Sequence, residues 1–315
     1  MLQYVMVAAL VIAGGTITPV AAQEARRPTT PRLSFLVLGD WGMGNDGQRA
    51  VAAQMGRTGA AVKAAFVVTL GDNFYPAGVK STTDPYWQER YESVYTAPSL
   101  QVPWYPVLGN HDYNGNVQAE IDYSSKSARW RLPARYYTVK KAIDDSTSVE
   151  LFMIDTQEFE KPQSKGALAE LAWLDSALAA STAKWKLVVG HHPILTATRP
   201  YRTPNMELFR DVLPVIEKRG AQAYISGHDH DLQHLNSKRR PTHFFVAGAG
   251  AAPRKSGWIE DTLLSYSDSP GFMVVELYAA EMRVRFVSDA GKEVYTTVVP
   301  SVAPVAAPAA GGSGQ

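Results

Sequence analysis

Acidic, amide and imidazole side chains follow directly after short apolar segments at several places in this sequence, in turns that contain glycine. These residues are Asp40, Asp72, Asn110, His191, His228 and His230. Carboxylate and amide oxygens mixed with imidazole nitrogens suit iron, zinc or manganese, and six donors are enough to hold two ions. Two ions that share a carboxylate can neutralise a phosphate group and lower the pKa of a bound water. The residue types therefore predict a two-metal site for phosphate-ester chemistry.

The apolar segments before these residues have the length and the glycine-bounded ends of buried strands. They are residues 32–38, 65–70, 104–108, 185–189 and 223–226. Helical periodicity occurs between them, at residues 48–63, 85–95 and 167–180, the last with Leu168, Leu171, Leu174 and Leu178 on one face. Strands that alternate with helices predict an α/β fold, in which the carboxyl ends of parallel strands converge on one crevice. Later apolar segments, at 242–246, 272–278, 282–287 and 293–299, lack intervening helices and predict antiparallel pairing.

The composition excludes several classes of protein. The 315 residues include 31 Lys and Arg against 30 Asp and Glu, a net charge of +1, so no nucleic-acid-binding surface is expected. Hydrophobic residues make up 45% and charged residues 19%, which is typical of a globular chain. Because the sequence has no cysteine, disulfides, iron–sulfur clusters and thiol nucleophiles are excluded.

The two ends of the sequence differ from the middle. Residues 5–13 are apolar and small residues follow, which is typical of a signal peptide over residues 1–22 cleaved after Ala22. The segment is shorter than the roughly 20 apolar residues that span a bilayer, so no stable membrane span is expected; an uncleaved anchor is the alternative. Residues 300–315 are rich in Ala, Pro and Gly and predict a flexible tail. We therefore expect one domain over residues 32–299 of an exported protein, periplasmic or secreted, and the missing cysteines and glycosylation sequons favour a bacterial source.

Five blocks of this sequence together resemble the signature blocks of one enzyme family. They are Gly39-Asp40-Trp41-Gly42, Gly71-Asp72-Asn73-Phe74-Tyr75, Gly109-Asn110-His111-Asp112, Gly190-His191 and Gly227-His228-Asp229-His230. In this order they are similar to the purple acid phosphatases, and within them to the small tartrate-resistant type, which belongs to the calcineurin-like metallophosphoesterases. The resemblance implies a four-layer αββα sandwich, with two mixed sheets flanked by helices and the metal site at the carboxyl ends of the strands.

The resemblance also implies how the metal ligands divide. It assigns Asp40, Asp72, Tyr75 and His230 to an Fe(III) site, and Asp72, Asn110, His191 and His228 to a site for divalent Fe, Zn or Mn. Asp72 bridges the two ions, and the Tyr75 phenolate separates purple acid phosphatases from the wider superfamily. The resemblance further implies that His111 orients the phosphate and protonates the leaving alkoxide. Asp112 either orients that imidazole or is an ordinary turn residue.

The sequence departs from the family pattern in the outer pocket. Family members often have a further histidine after the fourth block, whereas residues 195–201 contain none. Arg199, Tyr201 and Arg202 are therefore candidates for phosphate contact. His192 stands where animal enzymes have a tyrosine, and its role is open. His234 either lines the pocket or occupies a turn or sheet position.

These observations lead to one principal hypothesis and two alternatives. We expect an exported, metal-dependent acid phosphatase that hydrolyses small phosphate monoesters by in-line attack of a metal-bound hydroxide, with His111 assisting the leaving group. A phosphodiesterase or nucleotidase on the same scaffold is the first alternative, and a non-catalytic protein that binds iron or phosphate is the second. The sequence leaves open the physiological substrate, the pH optimum, the divalent metal and the oligomeric state.

Overall fold

The computed structural model describes residues 33–161, 163–198, 205–236, 240–254 and 263–301. The strands are β1 (Leu33–Leu38), β2 (Val67–Leu70), β3 (Trp104–Val107), β4 (Tyr137–Ala142), β5 (Ser148–Met153), β6 (Trp185–Val189), β7 (Ala223–Ser226), β8 (Leu232–Leu235), β9 (His243–Ala247), β10 (Leu263–Ser267), β11 (Gly271–Leu277), β12 (Glu281–Ser288) and β13 (Glu293–Pro300). The α-helices are α1 (Asp46–Val62), α2 (Val117–Asp122), α3 (Lys165–Ala180) and α4 (Leu213–Lys218). Two π-helical segments, Trp87–Glu92 and Leu208–Val212, lie between these elements.

The strands form two mixed sheets, as the resemblance implies. The first sheet has the order β13-β12-β11-β1-β2-β3, with β1, β2 and β3 parallel and the other neighbours antiparallel. The second has the order β10-β8-β9-β7-β6-β5-β4, with a parallel centre of β5, β6, β7 and β9. The expected antiparallel pairing is confirmed for β11, β12 and β13. It is wrong for one side of β9, because β9 pairs in parallel with β7.

Side-chain alternation along the strands builds two apolar layers. In β6, Leu187 belongs to the core between the sheets, whereas Val188 packs in a second cluster with Leu174 of α3 and Ile216 of α4. Successive residues of a strand point to opposite faces, so one strand supplies both layers. On the other side, Met55 of α1 packs against the first sheet. Both sheets are therefore covered by helices on their outer faces.

Helix α3 confirms a predicted helix but not its predicted buried face. Ser164 caps the first turn by accepting a hydrogen bond from the Ala167 N–H at 3.0 Å. Leu174 and Leu178 are buried as expected, whereas Leu168 is 49% exposed. The buried stripe runs instead through Ala167 and Glu170. Glu170 is tolerated there because its carboxylate accepts the backbone N–H of Asp155 at 2.7 Å.

His234 occupies a sheet position, which was one of the two interpretations left open by the sequence. It is fully buried in β8, with Nδ1 2.8 Å from the Tyr295 hydroxyl and Nε2 2.9 Å from Nδ1 of His243. Burial and the neighbouring His243 lower the pKa of His234 to about 3. Between about pH 3 and pH 6.5 the ring is therefore neutral in the folded protein and protonated in the unfolded chain.

This difference predicts an acid-dependent loss of stability. Below the unfolded pKa of about 6.5 the unfolded state takes up a proton that the folded state refuses, so stability falls as the pH drops towards 3. His234→Gln keeps polar groups at this position but does not titrate. Between about pH 6 and pH 4 we expect the free energy of unfolding of the parent to fall more steeply than that of His234→Gln, by about 1.4 kcal/mol per pH unit. Urea denaturation of both proteins across this range measures the difference. Parallel pH profiles would contradict the prediction.

Candidate metal centre

The five predicted polar turns come together, but they arise from two sheets and not from one. The turns after β1, β2 and β3 belong to the first sheet, and those after β6 and β7 to the second. Hydrogen bonds join them across the gap: the Gly39 N–H donates to the Ala247 carbonyl at 2.7 Å, and His191 Nδ1 lies 2.7 Å from the Leu70 carbonyl. The expectation of a single sheet edge is corrected accordingly, since the crevice lies where the edges of the two sheets meet.

One group of donors is built around the hydroxyl of Tyr75. That oxygen lies 3.0 Å from Oδ1 of Asp40, 2.8 Å from Oδ2 of Asp72 and 3.2 Å from Nε2 of His230. All four side chains are buried. These are the residues that the resemblance assigns to the Fe(III) site, and the structure brings every one of them together.

A second group adjoins the first through Asp72. His191 Nε2 and His228 Nδ1 each lie 3.1 Å from Oδ1 of Asn110 and 3.2 Å from each other. Asp72 Oδ1 is 3.4 Å from His191 Nε2, while its Oδ2 faces Tyr75. The side chain that was predicted to bridge two ions therefore directs one carboxylate oxygen to each group.

The electrostatics of both groups suit cations. Burial and the nearby Asp72 carboxylate raise the pKa of Asp40 well above its ordinary value. Burial would raise that of Asp72 as well, but His191 and the His111 backbone N–H outweigh it and lower the pKa of Asp72. Burial and both carboxylates also raise the pKa of Tyr75, whose proton now lies between them. A cation placed among these oxygens would relieve the repulsion and replace that proton, so the residues fit the metals that the family implies.

Two of the imidazoles, those of His191 and His230, have the tautomer that metal binding needs. The Nδ1 atoms of His191 and His230 lie 2.7 Å and 2.9 Å from the carbonyls of Leu70 and Ala252. A carbonyl only accepts, so each Nδ1 carries the proton and each Nε2 keeps its lone pair. Burial lowers the pKa of both rings to about 4, so they are neutral above that pH.

Three of these residues have an uncommon backbone conformation. Asp40, Asp72 and His228 lie in the left-handed region, with φ values of 57°, 49° and 66°. Such conformations cost about 1–3 kcal/mol for residues other than glycine and concentrate at functional sites. Each follows the end of a strand, where this conformation turns the chain sharply and brings its side chain back towards the crevice.

His111 and Asp112 separate although they are adjacent in sequence. The His111 ring is half-buried beside Tyr75, with Nδ1 2.6 Å from the Pro76 carbonyl and Nε2 3.9 Å from Oδ2 of Asp72. The Asp112 carboxylate is buried and accepts the backbone N–H groups of Gly109 at 2.8 Å and Asn73 at 2.9 Å. The hypothesis that Asp112 orients His111 is corrected: Pro76 holds the imidazole, and Asp112 holds the two ligand turns together.

Sequence reasoning assigned no role to two residues that support the site. Asn73 is buried and accepts Trp41 Nε1 and the Thr69 hydroxyl at 3.2 Å and 2.8 Å, which ties the first two turns together. Its position beside Asp72 in a Gly-Asp-Asn turn was the available signal. Thr156 follows β5, a strand that was not predicted, and its hydroxyl lies 2.8 Å from Nδ1 of His192.

Some predicted features lie outside the described residues. These are the phosphate-contact candidates Arg199, Tyr201 and Arg202, the segment 1–22 and the tail after residue 301. Within the part of the chain that is described, no helix has the length and apolar character needed to cross a membrane.

Comparison with known proteins agrees with this geometry. Residues 33–232 match the calcineurin-like phosphoesterase family. Purple acid phosphatase 3 of Arabidopsis thaliana is 38% identical over 82% of this chain and 75% of its own length. Human tartrate-resistant acid phosphatase type 5 is 34% identical over 93% of this chain and 97% of its own. The chain belongs to the purple acid phosphatases.

Membership of the purple acid phosphatases confirms the predicted fold and the predicted enzyme class, phosphoric monoester hydrolase. Among solved structures, purple acid phosphatase PPD1 from yellow lupin seeds shares the fold, with a TM-score of 0.67 and 12% identity over 85% of this chain and 53% of that one. GAP50, the anchor in the inner membrane complex of Plasmodium, has a TM-score of 0.77 and 26% identity over 86% of this chain and 89% of that one. The two relatives in sequence named above come from a plant and a mammal and lend no support to a bacterial source.

Gly109 lies so close to Asp72 that a side chain at this position would collide with it, and this contact can be tested by substitution. A Cβ at Gly109 would lie 2.3 Å from both N and Oδ1 of Asp72. We expect Gly109→Ala to displace that carboxylate and lower phosphatase turnover by about 10²-fold, the cost of misplacing a reacting group by about 1 Å.

Gly59→Ala in α1 is the matched control for this substitution. Its Cβ would meet no atom closer than 3.4 Å, and replacing a helical glycine should stabilise the fold by about 0.5–1 kcal/mol. Steady-state kinetics and thermal denaturation of the two variants make the comparison. Equal turnover in both would contradict the assigned role of Gly109.

Proposed function

We propose that this chain is an exported acid phosphatase that hydrolyses small phosphate monoesters with the help of two cations. The observation that carries the proposal is the pair of adjoining donor groups that share Asp72, with His111 beside them. The purple acid phosphatase relatives support the reaction class. The half-buried His111 supports catalysis over mere storage of metal, because no storage role requires it.

The two donor groups would hold different metals. Tyr75 and the carboxylates of Asp40 and Asp72 supply anionic oxygens, which favour Fe(III), and His230 completes that set. Asn110, His191 and His228 with the shared Asp72 suit divalent Fe, Zn or Mn. When bound, the two cations would neutralise the phosphate and make a water molecule more acidic.

The residues of the chain would then orient the substrate and move a proton. The Pro76 carbonyl fixes the proton on Nδ1 of His111 and leaves Nε2 facing the crevice. In its protonated form, Nε2 can donate to a phosphate oxygen and then to the leaving alkoxide, which is general-acid catalysis. Because water is the nucleophile in this proposal, no covalent enzyme intermediate forms.

Export is part of the proposal and has its own test. The apolar residues 5–13 and the small residues up to Ala22 support a cleaved signal and a periplasmic or secreted location. N-terminal sequencing of protein recovered outside the cytoplasm should begin after Ala22. A mature chain that starts at Met1 would contradict cleavage.

Metal analysis and a visible spectrum of the purified protein, combined with two substrates, test the function. We expect two ions per chain, iron among them, a purple charge-transfer band, and faster hydrolysis of p-nitrophenyl phosphate than of bis-p-nitrophenyl phosphate. The reverse substrate preference would favour the phosphodiesterase alternative. Bound metal without hydrolysis of either substrate at any pH would favour a non-catalytic metal-binding protein.

A further inference from the structure

His192 lies against the second donor group, although the family pattern gives it no role. Its ring is 4.9 Å from the His191 ring and 4.6 Å from the His228 ring, measured between centroids. One nitrogen from each of these three imidazoles lies within 4.8 Å of the other two. The His192 side chain is buried, with 6% of its surface exposed.

The backbone and ring of His192 are held in place from two sides. The Tyr224 hydroxyl donates to the His192 carbonyl at 2.7 Å. The Thr156 hydroxyl accepts the His192 backbone N–H at 3.0 Å and lies 2.8 Å from Nδ1 of the ring. A hydroxyl oxygen has two acceptor positions, so Thr156 can accept both N–H groups of the same residue.

This arrangement resembles that of the other two fixed imidazoles in the site. His191 and His230 each direct Nδ1 to a backbone carbonyl, and His192 directs Nδ1 to a hydroxyl. The carbonyls fix the proton on Nδ1 of His191 and His230; when the Thr156 hydroxyl accepts from Nδ1 of His192, the Nε2 of that ring likewise keeps a free lone pair, which is the form that binds a metal. Thr156 therefore lies against Nδ1 of His192 at the position that the Leu70 carbonyl occupies against Nδ1 of His191.

We propose that His192 is a third imidazole donor for the divalent ion held by Asp72, Asn110, His191 and His228, and that Thr156 is its positioning residue. This inference rests on the proposed function. A site with three imidazoles favours Zn²⁺ and Co²⁺ over Mn²⁺, because imidazole suits the borderline metals and Mn²⁺ prefers oxygen donors. The proposal therefore concerns which divalent metal this phosphatase selects.

The test measures metal affinity apart from catalysis. Iron-loaded protein is titrated with Zn²⁺, Co²⁺ or Mn²⁺ against a chromophoric chelator, and the Co²⁺ spectrum reports the number of ligands. We expect His192→Phe to weaken Zn²⁺ and Co²⁺ binding by about 10- to 100-fold, with a smaller effect on Mn²⁺. His243→Phe, a histidine in β9 outside both donor groups, is the control and should bind as the parent does.

Thr156 gives a second pair of variants that perturb the site less. Thr156→Val keeps the shape but cannot accept the Nδ1 proton, so it should weaken Zn²⁺ binding, whereas Thr156→Ser should restore it. Unchanged affinities and Co²⁺ spectra in both His192→Phe and Thr156→Val would overturn the inference and leave the proposed function intact. If the parent protein itself binds only one ion, the proposed function fails, and this inference fails with it.

Discussion

Replacing Asp72 by asparagine is expected to remove both cations and to lower turnover by about 10⁴-fold. Asp72 is the carboxylate common to both donor groups, with Oδ2 2.8 Å from the Tyr75 hydroxyl and Oδ1 3.4 Å from His191 Nε2. Asparagine keeps the shape but loses the charge and one acceptor oxygen. Stabilisation of phosphoryl transfer by metal ions is worth several kcal/mol, and each 1.4 kcal/mol is a factor of ten in rate.

Elemental analysis and steady-state kinetics of Asp72→Asn test this expectation. Asp46→Asn is the control, because Asp46 has a fully exposed carboxylate at the start of α1 and loses the same charge on substitution. We expect the control to keep two ions and the turnover of the parent. A variant of Asp72 that kept both ions and most of its activity would contradict the bridging role.

Replacing His111 by alanine is expected to keep the metals and the colour but to lower kcat by about 10²–10⁴-fold, the usual value of general-acid catalysis. The His111 ring contributes to neither donor group: its Nδ1 is bound to the Pro76 carbonyl and its Nε2 is 3.9 Å from Asp72. Loss of the ring should therefore leave the cation sites assembled while removing the proton donor.

The leaving group distinguishes this role from a structural one. An alkyl phosphate needs a proton on its departing oxygen, whereas p-nitrophenolate leaves readily without one. We expect His111→Ala to slow an alkyl phosphate much more than p-nitrophenyl phosphate. Equal losses on both substrates would show that His111 acts by positioning and not as an acid.

The ligand turns could be predicted because their chemistry is local. Each polar residue follows a buried strand within a few positions of a glycine, and the structure shows why glycine is needed: a Cβ at Gly227 would lie 2.6 Å from Oδ2 of Asp40. The side chains predicted from these turns lie close together in the structure. Tyr75 lies beside Asp40, Asp72 and His230, a placement that followed from the family resemblance and not from spacing.

The family resemblance predicted two sheets, but which strand belongs to which sheet could not be predicted from the residues of the strands. Strands β2 and β6 are both short, apolar and buried, and nothing local marks them for different sheets. Strand β4 was missed because it lies at a sheet edge, where exposed residues such as Thr138 and Lys140 alternate with buried ones and hide the apolar pattern. Strand β5 was missed as well, and with it the contact from Thr156 to His192.

The position of Asp112 shows that two residues adjacent in sequence need not contact each other through their side chains. Neighbouring residues in a turn direct their side chains apart, so His111 faces the crevice while Asp112 faces Gly109 and Asn73 behind it. The Asp112 carboxylate stabilises the ligand turns by accepting backbone N–H groups. Contacts to backbone groups cannot be read from a motif of side chains.

Anomalous X-ray diffraction from crystals of the metal-loaded protein tests the central claim most directly. Data collected across the iron edge and across the edge of the second metal should show two peaks, one among Asp40, Tyr75 and His230 and one among Asn110, His191 and His228, with Asp72 between them. A single peak, or peaks remote from these side chains, would contradict the account.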